Sequence, residues 1–596
     1  MSRSRILWII AIWAPLLLAV LFLLLSRLEY APVKAWVDAR SADGDVETYD
    51  AAFHAGVRHR LRLFALVLLA AGAAAWAMGR VLRRQLAPPA GQWSSFMADL
   101  GTALREKVKK TSAAHKRVVL LLILIGTVLR GWLLHAPITY DEAFTYTYFS
   151  SKPLGIILAD YAYPNNHVLH TLLVKASTAL FGIGLVQLRL PAFLAGVLVL
   201  PLFYLFVRSV FNRYIALLAL ALAAGSAGLV EYSTLARGYS LTWLFWMCAL
   251  LLGRHFTRTN NVVSAVLMGG VLALGMWTIP TMLQLALMVF VWILITLAAR
   301  YESSLRDRQL RLVLAGVVFI IATALLYMPV LVVHGVGQLL HHSTMGDNSW
   351  VTFVRTHQDR VFELWHYFSQ EANVAMTFVG MAGLFFSVYI TTKYRTLVAA
   401  TLVACVPLTL AQSLVAPPRV WLWTLFILHL GSAIALFYLL KLLQDRVYAG
   451  FNKRMRTTVS AFILVLFFGW QALQVSSTRV RRYTDARPAA AKLAGLAGSR
   501  DRVLIEFPWE APMEFELLAR GVDRDVLYRD PAPDGTLYVV VSPAEGQSAE
   551  SVLEHHRMGH LQPGTVERIQ DLRQLEIFAA HLRSAPSGGA SAGDAR

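Results

Sequence analysis

Long apolar runs, repeated along most of the chain, constrain the fold more than any motif does. Many of them approach the ~20 residues that a helix needs to cross the hydrocarbon core of a bilayer. Inside lipid every backbone N–H and C=O needs an internal partner, so such runs fold as helices; a β-barrel would show shorter, alternating segments. The chain is 57% hydrophobic and only 15% charged, less charged than a soluble domain. The expected fold class is an all-α polytopic membrane protein. Its spans are expected at 6–26, 61–79, 118–134, 190–207, 214–230, 239–252, 262–279, 281–299, 312–333, 373–391, 396–414, 419–440 and 457–475, about thirteen in all.

The formal net charge of +19 does not point to nucleic acid, because the basic residues gather in short loops between spans. That is the pattern of loops retained on the cytoplasmic side. Segment 80–117 carries Arg80, Arg83, Arg84, Arg105, Lys107, Lys109, Lys110, Lys116 and Arg117 against Asp99 and Glu106. The run at 166–181 is short and holds His167, His170 and Lys175. It reads as an interfacial amphipathic helix; counting it as a span would invert every later loop. The cysteines, Cys248 and Cys405, lie in apolar runs with no metal or disulfide spacing. The run behind Arg3 and Arg5 is too long for a cleaved signal core and reads as a retained anchor.

Four segments are expected: a two-helix extension with a basic loop at 1–117, a membrane catalytic domain at 118–479, a soluble domain at 480–583, and a disordered Gly/Ala/Ser-rich tail at 584–596. In the soluble segment, 503–505 and 537–541 read as strands, and 511–520 and 549–558 as helices, giving a small α/β domain. The alternation places 480–596 and the loop 334–372 on the face opposite the basic loops. That loop, long enough for a lid, carries His334, His341, His342, His357 and His366, which show no metal-ligand spacing.

On the same face the stretch Tyr140-Asp141-Glu142 sets an acidic pair just outside a span. Asp160, Asn165, Asn166, His167, Arg189, Arg237 and Arg419 gather there too, at irregular spacing. Carboxylates accept protons, and arginines recognise phosphate through paired hydrogen bonds. Acid and arginine on one membrane face suggest chemistry on a phosphate-bearing lipid.

The series Tyr140-Asp141-Glu142, Asp160 through Tyr163-Pro164-Asn165-Asn166-His167, Leu180-Phe181-Gly182, Arg189-Leu190-Pro191-Ala192 and Tyr232 through Arg237-Gly238-Tyr239 resembles one family in order and topology. It looks like the GT-C glycosyltransferases, in the branch of the protein O-mannosyltransferases and the lipid A aminoarabinose transferases. The resemblance covers roughly 118–330 and leaves out the helices at 6–26 and 61–79. It implies a GT-C-like bundle in the inner membrane. Such an enzyme passes a sugar from a polyprenyl-phosphate donor to a lipid, glycan or protein hydroxyl on the periplasmic face. It also implies Asp141 as general base, with Glu142 and Asp160 as further catalytic candidates. Asn166, His167, Arg189, Arg237 and Arg419 become substrate-binding candidates, the arginines for the lipid phosphate. Mannosyltransferases of this type carry His-Pro-Pro where this chain has Asn165-Asn166-His167-Val168. With no Asp-x-Asp pair, no cofactor and no metal are expected. A transporter or flippase of lipid-linked sugars is the alternative reading. It calls for ionisable residues at the midplane and two matched halves, neither of which the sequence displays.

Overall fold

A computed structural model describes residues 3–38, 49–77, 91–299, 305–340, 349–371, 374–390, 392–446, 455, 469, 480–528, 532, 535–556 and 563–582. The chain is a bundle of apolar helices followed by a small α/β domain, the architecture expected. The principal helices are α1 (Arg3–Leu25), α2 (Ala51–Ala77), α3 (Ala113–Leu133), α4 (Tyr140–Phe144), α5 (Val168–Phe181), α6 (Leu185–Val210), α7 (Arg213–Ala224) and α8 (Tyr239–Thr259). They continue with α9 (Val262–Thr278), α10 (Met282–Ala298), α11 (Leu305–Leu326), α12 (Trp350–Glu371), α13 (Val374–Ile390), α14 (Thr392–Gln412) and α15 (Thr424–Arg446). The expected helix at 457–475 and the expected tail at 584–596 lie outside the described residues, as do Arg80, Arg83, Arg84, His341 and His342.

Among the described residues four helices are each long and apolar enough to cross a membrane, or six if two bent pairs each count as one span. This does not confirm the expected thirteen, one of which, 457–475, lies outside the described residues. Several expected spans are broken or short. The run at 214–230 splits into α7 and a separate turn at Ala227–Tyr232, and α9 and α10 have 17 residues each.

Polar contacts gather at the two ends of the bundle. At one end Arg208 donates to Thr111 at 2.7 Å, His115 lies 3.0 Å from the Tyr204 hydroxyl, and Arg308 donates to the Thr257 carbonyl at 2.9 Å. At the other end lie Asp141, Glu142, Arg189 and Arg237, here called the site face. Helix α5 stays there. Lys175 donates to the carbonyls of Ser150 at 3.1 Å and Lys152 at 2.7 Å, and Ser177 donates to that of Gln187 at 2.7 Å.

Local sequence explains the starts of these helices. Asn212 accepts from the amides of Tyr214 and Ile215, and Asn261 from that of Ser264, satisfying donors that a helix N-terminus leaves open. Small residues let backbones touch where lipid supplies no hydrophobic drive between helices. A Cβ on Gly383 would lie 1.9 Å from the Gly431 carbonyl oxygen, so α13 and α15 can cross this closely only on glycine.

The C-terminal domain folds as a four-stranded sheet of order β1-β2-β4-β3: β1 (Arg502–Ile505), β2 (Thr536–Val541), β3 (Pro563–Asp571) and β4 (Glu576–Leu582). Strand β1 pairs with β2 in parallel and the other pairs are antiparallel. Helix α16 (Glu510–Leu518) and the helix Ala549–His555 match the expected ones. Strands β3 and β4 were not expected; in β3 the charged pair Glu567-Arg568 interrupts the apolar alternation. The domain's core runs without a break into the site face: Ile138, Ala143, Tyr146 and Leu188 share one buried cluster with Tyr483, Trp509, Phe515 and Ile577.

Candidate active site

The site is built from the short helix α4. Thr139 is its N-cap and forms a capping box with Glu142: the Thr139 hydroxyl accepts from the Glu142 amide at 3.4 Å, and Glu142 Oε2 accepts from the Thr139 amide at 3.1 Å. That geometry turns Glu142 inward and Asp141 outward.

Glu142 meets Arg189, and the side chains of both are 0% exposed. Arg189 Nε and Nη2 donate to the two carboxylate oxygens at 2.7 and 2.8 Å. Its Nη1 donates to the Ala136 carbonyl at 2.6 Å and the Leu134 carbonyl at 3.0 Å, and Nη2 also reaches that of Pro137 at 3.2 Å. The Ala236 amide donates to Glu142 Oε1 at 2.8 Å. Burial alone would raise the Glu142 carboxyl, but the Arg189 charge and these bonds hold it below the usual carboxylate range. The geometry differs here from the sequence expectation. Arg189 was expected on a lipid phosphate, yet every nitrogen of its guanidinium is engaged within the protein. The pair ties the end of α3, helix α4, helix α6 and the 233–238 turn together.

Asp141 is the acid left facing outward, its side chain 38% exposed. Asn165 Nδ2 donates to its Oδ1 at 3.4 Å, and Arg237 Nη2 lies 3.9 Å from its Oδ2. Arg237 is buried, donates to the Thr145 hydroxyl at 3.1 Å, and keeps a buried Nε with no hydrogen-bond partner. Arg419, on the turn Pro418–Trp421, is exposed. The Tyr239 hydroxyl, then Asp141 and Tyr232, outweigh burial and raise its guanidinium above the ordinary value. A cavity of about 460 Å³ opens beside these groups, lined by Tyr140, Phe144, Tyr163, Asn165, Arg360 and Arg419 among others.

The loop between Asp160 and His167 supplies scaffolding more than ligands. Asp160 Oδ1 accepts from the Ala162 amide at 2.8 Å and lies 3.4 Å from His334 Nε2, so its contacts are with a turn and a histidine rather than with Asp141. Asn166 is 0% exposed and donates to the carbonyls of Ile157 at 2.9 Å and Asp160 at 2.7 Å. The neighbour Asn165 is the one that reaches Asp141. His167 is buried, and its Nδ1 accepts from the Gly238 amide at 2.8 Å. A Cβ at Gly238 would lie 3.2 Å from that nitrogen and 2.5 Å from Thr278 Cγ2, so the two loops meet only because residue 238 is glycine.

Burial, then the charge of Arg237, push the His167 imidazole well below its ordinary value, so the folded protein keeps it neutral. The unfolded chain takes up that proton near pH ~6.5 and the folded chain does not. Stability from this histidine is therefore complete above about pH 6.5 and falls as pH drops, by up to about 1.4 kcal/mol per pH unit. We expect Tm to fall between about pH 7 and pH 5, and the fall to be shallower in His167→Asn. An equal slope in both proteins would remove His167 from this account.

Sequence reasoning did not select Tyr140, Phe144, Tyr163 or Arg360 for the site, nor the contribution of the C-terminal domain. The Tyr140 hydroxyl donates to Glu510 Oε1 at 2.6 Å. Arg482 donates to the Pro137 carbonyl at 2.9 Å and to Glu231 at 3.2 Å, and Arg524 to the Thr147 carbonyl at 2.6 Å. The run of aromatics at 140–149 was the available signal, since so many rings beside a span exceed what an interfacial belt needs. Among the described residues no three His, Cys, Asp or Glu side chains cluster to hold a metal ion.

The site is thus a buried Glu–Arg clamp, an outward aspartate and arginines beside a cavity, set at one end of a helical bundle. Residues 166–327 match the family model described as dolichyl-phosphate-mannose-protein mannosyltransferase. Among solved structures, the chain is similar to ArnT from Cupriavidus metallidurans in the apo state, at 13% identity, covering 78% of this chain and 98% of that one, with a TM-score of 0.49. The same protein bound to undecaprenyl phosphate is 14% identical over 79% of this chain and 98% of that one, with a TM-score of 0.46. The Archaeoglobus fulgidus oligosaccharyltransferase in complex with Zn and sulfate is 16% identical over 67% of this chain and 61% of that one, with a TM-score of 0.45. Curated protein sequences return no significant match.

Proposed function

We propose that this protein is a membrane glycosyltransferase that moves a sugar from a polyprenyl-phosphate carrier to an acceptor hydroxyl on the periplasmic face of the inner membrane. The observation that carries the reading is Asp141. It is the exposed acid of α4, paired with Asn165 and Arg237 beside a cavity that also presents Arg419, in a chain matching a mannosyltransferase family model.

The chemistry follows from these groups. Asp141 takes the proton of the acceptor hydroxyl as its oxygen attacks the anomeric carbon. The bond from that carbon to the phosphate oxygen breaks, and its electron pair leaves with the polyprenyl phosphate. Negative charge grows on the departing phosphate, and Arg419, with Arg237 behind it, stabilises it. Glu142 and Arg189 act as positioning residues: they hold α4 so that Asp141 faces outward. The acceptor remains a lipid, glycan or protein hydroxyl.

The test is release of polyprenyl phosphate by the purified protein from a panel of radiolabelled undecaprenyl-phosphate sugars. Turnover of at least one donor is expected. Arg419→Lys keeps the charge but loses the planar fork; loss of one charge-assisted hydrogen bond costs about 1.5–3 kcal/mol, roughly a tenfold to hundredfold fall in kcat/KM. Absence of release from every donor by folded protein would reject the transferase reading. Movement of a fluorescent lipid-linked sugar across vesicles by that same protein would favour a flippase.

A further inference from the structure

Helix α12 occupies the segment where the sequence suggested a loop, and the transfer chemistry leaves most of it without a role. Its 22 residues carry six exposed large apolar side chains: Trp350, Val351, Val354, Val361, Phe362 and Trp365. At 100° per residue all six fall within an arc of about 120°. Val354 and Trp365 lie near the middle of that arc and are 51% and 38% exposed, and Phe362, at its edge, is 70% exposed. Thr356, Asp359, Arg360 and Glu363 occupy the opposite side, and Arg360 lines the cavity beside Arg419.

Two observations identify what covers the apolar arc. The axis of α12 is turned 102° from that of the apolar helix α13, so when α13 crosses a bilayer, α12 lies along its plane. The arc also continues into the exposed face of α13: the Trp365 ring lies 5.7 Å from that of Phe378, and Phe378, Met381 and Phe385 extend the same uncovered surface. A protein partner would have to bury this arc and leave the adjoining face of α13 to lipid; one bilayer covers both.

We infer that α12 is a membrane-interface helix. Its apolar arc seats at the boundary between headgroups and acyl chains in the leaflet on the site face, and its Arg360 edge forms the cavity wall at that depth. Under the transfer reading, on which this consequence rests, the wall stands between the cavity and the headgroup layer through which a lipid-borne substrate arrives.

Single cysteines introduced as Phe362→Cys and Asp359→Cys, in protein carrying Cys248→Ala and Cys405→Ala, test the placement. The full chain is reconstituted in vesicles of phosphatidylcholine and phosphatidylglycerol and labelled with a nitroxide. Relaxation is then compared between oxygen, which concentrates in lipid, and a water-soluble nickel chelate. The label at 362 should respond more to oxygen, and the label at 359 more to nickel. Val354→Cys, on the same arc, repeats the measurement should Phe362→Cys fail to fold. A label at 362 or 354 that responds mainly to nickel overturns the inference, because the arc then faces water. Labels at both arc positions shielded from both reagents overturn it in favour of a covering protein. Accessibility is measured without turnover, so a failure here leaves the transferase reading standing, and absence of turnover leaves this placement standing.

Discussion

Asp141→Asn is expected to lower sugar transfer by about 10²–10⁴-fold, the usual cost of removing a general base. Asn keeps the shape of the side chain and can still pair with Asn165, but it cannot take the acceptor's proton. Asp141 is partly exposed, but Arg237, 3.9 Å away, is buried, so some loss of Tm should accompany the substitution, and transfer is compared on the folded fraction. Donor binding should survive, since Arg419 is untouched. The measurement is single-turnover transfer with expression matched between variants. Wild-type-like transfer would remove Asp141 as the base. Loss of donor binding with an intact fold would instead assign Asp141 to the donor site, and the proton acceptor would have to be sought at Asp160.

The second large effect falls on stability. Glu142→Ala leaves the Arg189 guanidinium buried, still bonded to carbonyls but without its counter-charge. Breaking a buried ion pair from one side costs about 3–5 kcal/mol, so Tm should drop steeply, and activity should fall with the folded fraction. Glu142→Gln keeps the cap on Thr139 and should lose less. The reverse substitution, Arg189→Met, strands the carboxylate in the same way. The double replacement Glu142→Leu with Arg189→Met should be milder than either single change, because no charge remains without a partner. A sharp loss of kcat in Arg189→Lys at unchanged Tm would contradict the clamp and return Arg189 to the phosphate.

Adjacent in sequence and identical in charge, Asp141 and Glu142 show where sequence reading stops. The motif marks both acids and gives no ground for separating them beyond order within the family pattern. The capping box and the Arg189 fork separate them: a helix N-terminus turns its third residue back toward the cap, and the 47-residue separation to Arg189 closes only in the folded bundle. Asn165 and Asn166 divide in the same way, one toward Asp141 and one toward the backbone carbonyls of its own loop.

Much of the fold was nevertheless legible. Apolar runs mark helices because lipid leaves the backbone no other solution, and basic loops mark one side of the bilayer because charge is costly to translocate. The sequence reads helix α5 as a non-spanning element because counting it as a span disturbs every later loop. Helix α12 was missed in the sequence. Its apolar residues recur at helical spacing, but charged residues between them keep its mean hydropathy that of a loop.

The sequence by itself determined a helical membrane bundle and the small α/β domain. These follow from local properties: hydropathy, periodicity and charge, each read within one segment. Only the tertiary structure decided the contacts. It gave Arg189 to Glu142, left Asp141 open, set Arg360 beside Arg419, and pressed the C-terminal domain against α4 through Tyr140 and Glu510. Each of those pairings depends on distance between segments far apart in the chain, and residue type alone carries no information about that distance.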